Sequence, residues 1–367
     1  GSTTSLEAYL WYDEIVDVDR APYANAPDYF NALLVRTPDA TGQRRDRFSA
    51  ALPAAVATDL LEPVHAAPAT PVPGNLLTAP SDSVPAATVA TSPQGRRTGY
   101  IRFNDFSAGT QDDMIAAFRA LRGEGVRDLV LDLRANSGGF LYVALAVASM
   151  VAGPAAEDKV FERLRYNDKR DDLTAASTLR YASRLQFEED ANPKGTRLPQ
   201  LDLPRLYVLS SNLTCSASES VINGLRGIDI DVIIVGDTTC GKPYGFTRRD
   251  NCGYAYFPIE FQGANAKGFG GYVSGFQPTC RVADDGDAVP GSATDPLLKA
   301  ALHHADTGSC PADSASARRS SVPAATPSVP VRPVCRAAAG VRVVQRGLQQ
   351  RVGGAARDRV AVIGHAA

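Results

Sequence analysis

The sequence predicts an α/β domain with a largely parallel central sheet, preceded by a small N-terminal helical cap. Three observations point there. Short apolar runs of buried-strand type alternate with segments of helical spacing across residues 98–305. Polar or glycine-bearing turns follow those runs. Residues 1–50 are aromatic-rich and carry an apolar face of their own.

The cap reads as Leu10-Trp11-Tyr12, Ile15-Val16, and then Tyr29-Phe30 with Leu33-Leu34. The 3–4 spacing of the last group fits a short amphipathic helix starting at Pro27 or Asp28. Residues 51–97 have no aromatic residue and carry eight prolines, so they are expected to be a linker or irregular loop. The core follows over 98–305. Tyr100 to Phe103 is a predicted strand, and Asp112 to Leu121 a helix on the spacing of Met114, Ile115, Phe118 and Leu121. Gly123 and Gly125 end that helix. Asp128 to Leu133 is a buried-type strand, Asn136-Ser137-Gly138-Gly139 a turn, and Leu141 to Val151 a largely apolar helix. The pattern repeats in a strand at 206–209, a helix at 216–225 and a strand at 232–235. Tyr254 to Phe261 alternates as one further strand. Residues 306–367 hold nine Arg but no aromatic residue, Lys or Glu. Such a segment has little to bury and is expected to be a disordered tail, or a non-native one resembling out-of-frame translation of a GC-rich gene.

A chain of 367 residues has room for two or three domains. Its net charge of −2 argues against nucleic acid or a membrane surface as partner. No apolar run reaches the roughly 18 residues of a transmembrane segment. The Gly1-Ser2 start without Met reads as a tag remnant, so a removed signal peptide is compatible with the sequence. None of the six cysteines forms a C-x-x-C pair, which argues against a metal such as zinc. Cys215, Cys240, Cys252 and Cys280 fall in the core. They fit two disulfides in an oxidising compartment, or reduced buried thiols.

Ser216 stands at the start of a predicted helix, after a strand and a polar turn. That is where α/β sheets present reactive groups, and a helix N-terminus offers N–H donors to a developing oxyanion. Equally, Ser216 fits a plain N-cap, with Glu219 completing a capping box. A nucleophilic serine needs a base. His65 lies in the Pro/Ala stretch, His365 in the tail, and His303 and His304 close the last helix, so a Ser–His–Asp triad is poorly supported. Lys242 follows a strand and a glycine turn, and burial can neutralise a lysine enough to make it a base. A surface Lys is the plain alternative. The run Gly236 to Lys242 also fits G-x-x-x-x-G-K of a phosphate-binding loop, although Pro243 replaces the Ser or Thr that would bind magnesium. The glycines of the 136–139 turn can bring N–H groups close to a ligand, or simply turn the chain.

Four ordered motifs resemble those of the C-terminal processing (tail-specific) serine peptidases: Tyr100-Ile101-Arg102-Phe103-Asn104-Asp105-Phe106, Leu129 to Gly139, Cys215-Ser216-Ala217-Ser218-Glu219, and Val235 to Lys242. The resemblance implies a Clp protease/crotonase-like ββα core. It implies Ser216 as nucleophile, Lys242 as general base, and the Ala217 N–H with that of Gly138 or Gly139 as oxyanion hole. It implies unstructured polypeptide substrates, engaged near their carboxyl ends, and no metal or organic cofactor. A periplasmic or secreted location follows. Two departures stand out. Phe246 occupies the place of a glutamine that usually orients the lysine, and residues 51–97 are too short for the PDZ domain usual between cap and core. Both leave room for an alternative, a peptide- or lipid-binding module on the same fold. If Ser216 and Lys242 meet, a Cys215–Cys240 bridge follows, with Cys252–Cys280 as the second.

Overall fold

The computed structural model describes residues 7–61, 75–284 and 286–312, and the backbone of 361–362. The cap holds helix α1 (Ala26–Leu33), whose Asn25 cap accepts the Asp28 N–H. Strand β1 (Ala50–Pro53) and helix α2 (Ala54–Leu61) come next, where a linker was expected. Two physical facts reconcile them with their composition. Pro53 ends an edge strand, where a missing N–H is tolerated, and the Ala-rich run behind it favours helix. The second correction to the linker is β2 (Ala86–Thr91), which pairs antiparallel with β3 (Arg97–Arg102). Its small Ala, Thr and Val side chains hid it, because an edge strand has only one neighbour to satisfy. Residues 62–74 lie outside the described residues.

The core then alternates as the patterning predicts: α3 (Thr110–Gly123), β4 (Asp128–Asp132), β5 (Gly139–Phe140) and α4 (Leu141–Ala152). After β6 (Val160–Tyr166), α5 (Asp171–Ala176) and β7 (Thr178–Arg180) come β8 (Arg205–Ser210), α6 (Ala217–Gly227) and β9 (Asp231–Gly236). The main sheet has the order β14-β9-β8-β4-β3-β2, with β14 at Cys280–Arg281, and is parallel except at β2. Strand side chains alternate between its faces. Leu129, Leu131, Leu206, Val208 and Ile234 pack under α3, α4 and α6. Tyr100, Val130, Tyr207, Leu209 and Ile233 pack against α7 (Pro296–Thr307).

The alternating run 254–261 is two strands. β12 (Tyr254–Phe257) pairs with β1 and β11 (Arg249–Asn251), while β13 (Ile259–Ala264) pairs with β10 (Tyr244–Phe246) and β6. Pro258 stands between them, where a residue without an N–H interrupts the ladder. This hand-over joins the cap to the core. Tyr9, Phe48, Tyr244, Phe246 and Phe257 form one apolar cluster beside the sheet. A two-residue strand, β15 (Ala361–Val362), lies between β5 and β10. The core also runs past residue 305: α7 continues to Thr307, and Cys310 is covalently tied to Cys280. The rest of the expected tail, 313–360 and 363–367, lies outside the described residues.

Candidate active site

Loops leaving the carboxyl ends of β4, β8 and β9 converge on one point, as parallel sheets dictate. Main-chain bonds lock them together: the Cys215 N–H donates to Asn136 O (3.1 Å) and the Cys240 N–H to Thr214 O (3.0 Å). The Thr214 hydroxyl donates to Leu133 O at 2.7 Å.

Ser216 is the N-cap of α6 and is 1% exposed. Its φ of 61° and ψ of −114° lie outside the regions ordinary residues occupy, a strain costing on the order of 1–3 kcal/mol. Its Oγ makes no hydrogen bond among the described residues. The Ala217 N–H sits beside it at the start of α6.

Lys242 is 2% exposed, which removes the reading of a surface lysine. Its Nζ lies 4.7 Å from the centre of the Phe246 ring and 5.5 Å from that of Phe48. Burial among these groups pulls its pKa from 10.5 down to about 7, against an opposing pull from the Glu219 and Asp46 carboxylates. Asp46 is itself buried, holding the Tyr9 hydroxyl and the Phe48 and Ser49 N–H groups.

Glu219 connects the two residues. It is 0% exposed, and one oxygen, Oε2, accepts the N–H of both Ser216 (3.0 Å) and Lys242 (2.8 Å). The other, Oε1, accepts the Gly241 N–H (2.8 Å) and the Thr239 hydroxyl (2.5 Å). Burial, the larger effect, holds this carboxyl above its usual range, and the four donors offset part of that rise. With two donors on each oxygen no lone pair is left for a proton, so the group is a carboxylate. The same bonds answer the phosphate-loop reading: the N–H groups of Gly241 and Lys242 already hold a carboxylate, and β10 rather than a helix follows.

Gly138 packs directly on the Ser216 turn. A Cβ there would lie 2.8 Å from Ser216 Cβ and 3.0 Å from the Ala217 nitrogen, and φ is +104°. Its N–H is committed to Asn136 Oδ1 at 2.9 Å. Gly139, at φ +142°, packs on the Phe106 backbone and forms part of β5.

Cys215 and Cys240 are disulfide-bonded, with Cα atoms 5.2 Å apart. Cys280 is bonded to Cys310, not to Cys252. The reason is register: Cys280 in β14 runs along β9 toward α7 and its following turn, whereas Cys252 is exposed at the β11–β12 turn. Among the described residues Cys215, Glu219 and Cys240 are the one cluster with metal-ligand spacing, but the sulfurs are spent in the disulfide and the carboxylate on its four donors. His303 and His304 sit on α7, on the opposite side of the sheet.

The sequence reading missed Phe48, Asp46 and the bridging role of Glu219. The Glu219 signal was present as its three-residue spacing from Ser216. Phe48 and Asp46 carried none, since only the cap's docking brings them near Lys242.

The sequence model of peptidase family S41 matches residues 97–250. The carboxyl-terminal-processing protease of Picosynechococcus sp. (strain ATCC 27264 / PCC 7002 / PR-6) is 30% identical over 148 residues, 40% of this chain and 30% of its own length. The chloroplastic carboxyl-terminal-processing peptidase 1 of Arabidopsis thaliana is 28% identical over 144 residues, 39% of this chain and 25% of its own length. The chain thus spans under a third of these relatives. A crystal structure from Bacteroides fragilis NCTC 9343, described as of an S41 protease, superposes with a TM-score of 0.64 at 20% identity, over 83% of this chain and 96% of that one. It shows the shared fold. No helix among the described residues is long and apolar enough to cross a membrane.

Proposed function

We propose that this chain is a peptidase of family S41, whose sequence model matches residues 97–250, and that it is a serine endopeptidase working through a Ser216–Lys242 dyad. The observation that carries the reading is the state of Lys242: a buried amine, held near neutral pH by aromatic walls, whose backbone shares one Glu219 oxygen with the Ser216 backbone. A neutral lysine amine is a competent general base.

Lys242 Nζ takes the Ser216 Oγ proton as the oxygen attacks the scissile carbonyl carbon. The carbonyl oxygen becomes an oxyanion that accepts the Ala217 N–H. Of the two glycines, Gly139 is the second donor, because the Gly138 N–H is held by Asn136. The Lys242 ammonium then gives its proton to the leaving amine. Water attacks the acyl-serine with Lys242 again as base. Phe246 takes the place of an orienting glutamine by shaping the amine's pocket, while Glu219 sets the loop's position.

The substrates are unstructured polypeptides cleaved near their carboxyl ends. The slot between β5 and β10 supports this: β15 lies in it antiparallel to Gly139–Phe140, so the slot accepts extended backbone. Two disulfides among the described residues favour an oxidising compartment, periplasmic or extracellular.

The test is cleavage of an unfolded protein followed by mass spectrometry, with a serine-directed phosphonate as active-site probe. Wild type should cleave and be labelled on Ser216, and Ser216→Ala and Lys242→Ala should do neither. Labelling that persists in both variants, or a folded wild type that binds peptide without cleaving it, would favour the binding-module reading.

A further inference from the structure

We propose that the Cys215–Cys240 disulfide is a positioning element of the dyad, so that a dithiol reductant switches catalysis off without unfolding the protein. The inference rests on the Ser–Lys reading above and adds redox control to it.

The bridge's place in the chain is the first argument. Cys215 directly precedes the nucleophile, and Cys240 is two residues before the base. No other covalent link joins the β8 loop to the β9 loop among the described residues. The second argument is its place in space. Cys240 Sγ lies 3.4 Å from Glu219 Oε2, the oxygen that holds both the Ser216 and Lys242 backbones. The disulfide therefore flanks the carboxylate that sets the distance between the two loops. Cut, it leaves two thiols and the full repulsion between any thiolate formed and that carboxylate. The third argument is strain. Ser216 sits at φ 61° without being glycine, a conformation that persists only where its surroundings over-determine it. The residue just before it is anchored by the bridge.

The chemistry is accessible on one side. Cys240 is partly exposed, while Cys215 is 3% exposed at the start of α6. A dithiol thiolate attacks Cys240 Sγ, and Cys215 Sγ leaves with the bonding pair. The second thiol of the reductant then closes onto the mixed disulfide and releases Cys240. Both protein sulfurs end protonated, and the reductant ends as its cyclic disulfide. Reactivity toward reductant thus enters next to the catalytic lysine. The Cys280–Cys310 bridge lies across β14 and the segment after α7, remote from Glu219 in the chain, and serves as the internal control.

Misplacing a reacting group by about 1 Å costs on the order of 10²-fold in rate. Reduction of Cys215–Cys240 is therefore expected to lower kcat at least about tenfold, with KM changed far less, and reoxidation is expected to restore it. Cys215→Ala/Cys240→Ala should have the low kcat and no further response to reductant. Cys280→Ala/Cys310→Ala should keep the full response. The assay is peptide turnover against the number of thiols titrated, well below the unfolding temperature. Hydrogen exchange at the Ser216, Gly241 and Lys242 amides is measured in parallel, and faster exchange on reduction is expected. That readout holds even for a protein that cleaves nothing, so failure of the peptidase reading is separable from failure of this one. Unchanged kcat with both thiols titrated, or unchanged exchange at those amides, overturns the proposal.

Discussion

Replacing Lys242 by Met should make the protein more stable, by an amount that depends on pH. The amine is 2% exposed, and its pKa falls from 10.5 to about 7 in the fold. The unfolded chain therefore holds the proton more tightly than the native one. The cost to folding is complete below the native value, shrinks as pH rises between the two values, and vanishes above the unfolded value. At about 1.4 kcal/mol per pKa unit, the penalty is on the order of 4–5 kcal/mol at pH 6 and under about 1 kcal/mol at pH 10. Met has similar length, no proton to lose, and packs well on aromatic rings such as Phe48 and Phe246. Losing the cation–ring attraction offsets about 0.5–2 kcal/mol of the gain. The assay is urea unfolding of wild type and variant at matched pH from 6 to 10, with all disulfides intact. A stability gain at pH 6 that fades toward pH 10 is expected. A difference independent of pH over that range would refute a native amine titrating near neutrality.

Four further outcomes follow from the same site. First, kcat/KM should rise through an acidic limb with an apparent pKa near 7, because the base must be neutral; initial rates from pH 5 to 9 check this. Glu219→Gln should move that limb to lower pH, since the carboxylate raises the lysine's affinity for its proton, and should lower kcat as the loop bonds weaken; a pH–rate profile of the variant reads both. Gly138→Ala should abolish phosphonate labelling of Ser216, because the new Cβ would press on Ser216 Cβ and Cys215 O at a φ of +104°; intact-mass analysis measures it. Finally, ending the chain at residue 312 should lower KM for short peptides, since β15 otherwise pairs with Gly139–Phe140 and Phe246 in the slot; steady-state kinetics on both chains decide it.

The central sheet was legible because each buried strand carries a dense apolar run and each crossover helix a repeat of its own, as at Leu129–Leu133 and Met114–Leu121. β2 and β1 were not, because an edge strand of small Ala, Thr and Val residues, or one of Ala-Ala-Leu-Pro, lacks the packing that gives a strand its signature. The strand break at Pro258 was written in the sequence and overridden by the alternation around it. At the site, Ser216 and Lys242 could be named from motifs at strand ends. What lowers the Lys242 pKa could not, because its burial comes from chain regions meeting: Phe48 from the cap and Phe246 from β10 line the amine, while Glu219 from α6 holds the loop's backbone and pulls the pKa the other way. Phe246 was noticed as a missing glutamine, while its ring is one wall of the pocket that neutralises the amine. Cys310 went unpaired in the reading because it sits just past the apparent end of the core.

Titration of the Lys242 side chain by carbon-detected NMR, with the Lys242→Met variant to assign the resonance, probes the account where it is most exposed. A midpoint near pH 7 in the oxidised native protein is the predicted result. A midpoint above pH 10 would mean a permanently charged amine, and with it no base for Ser216.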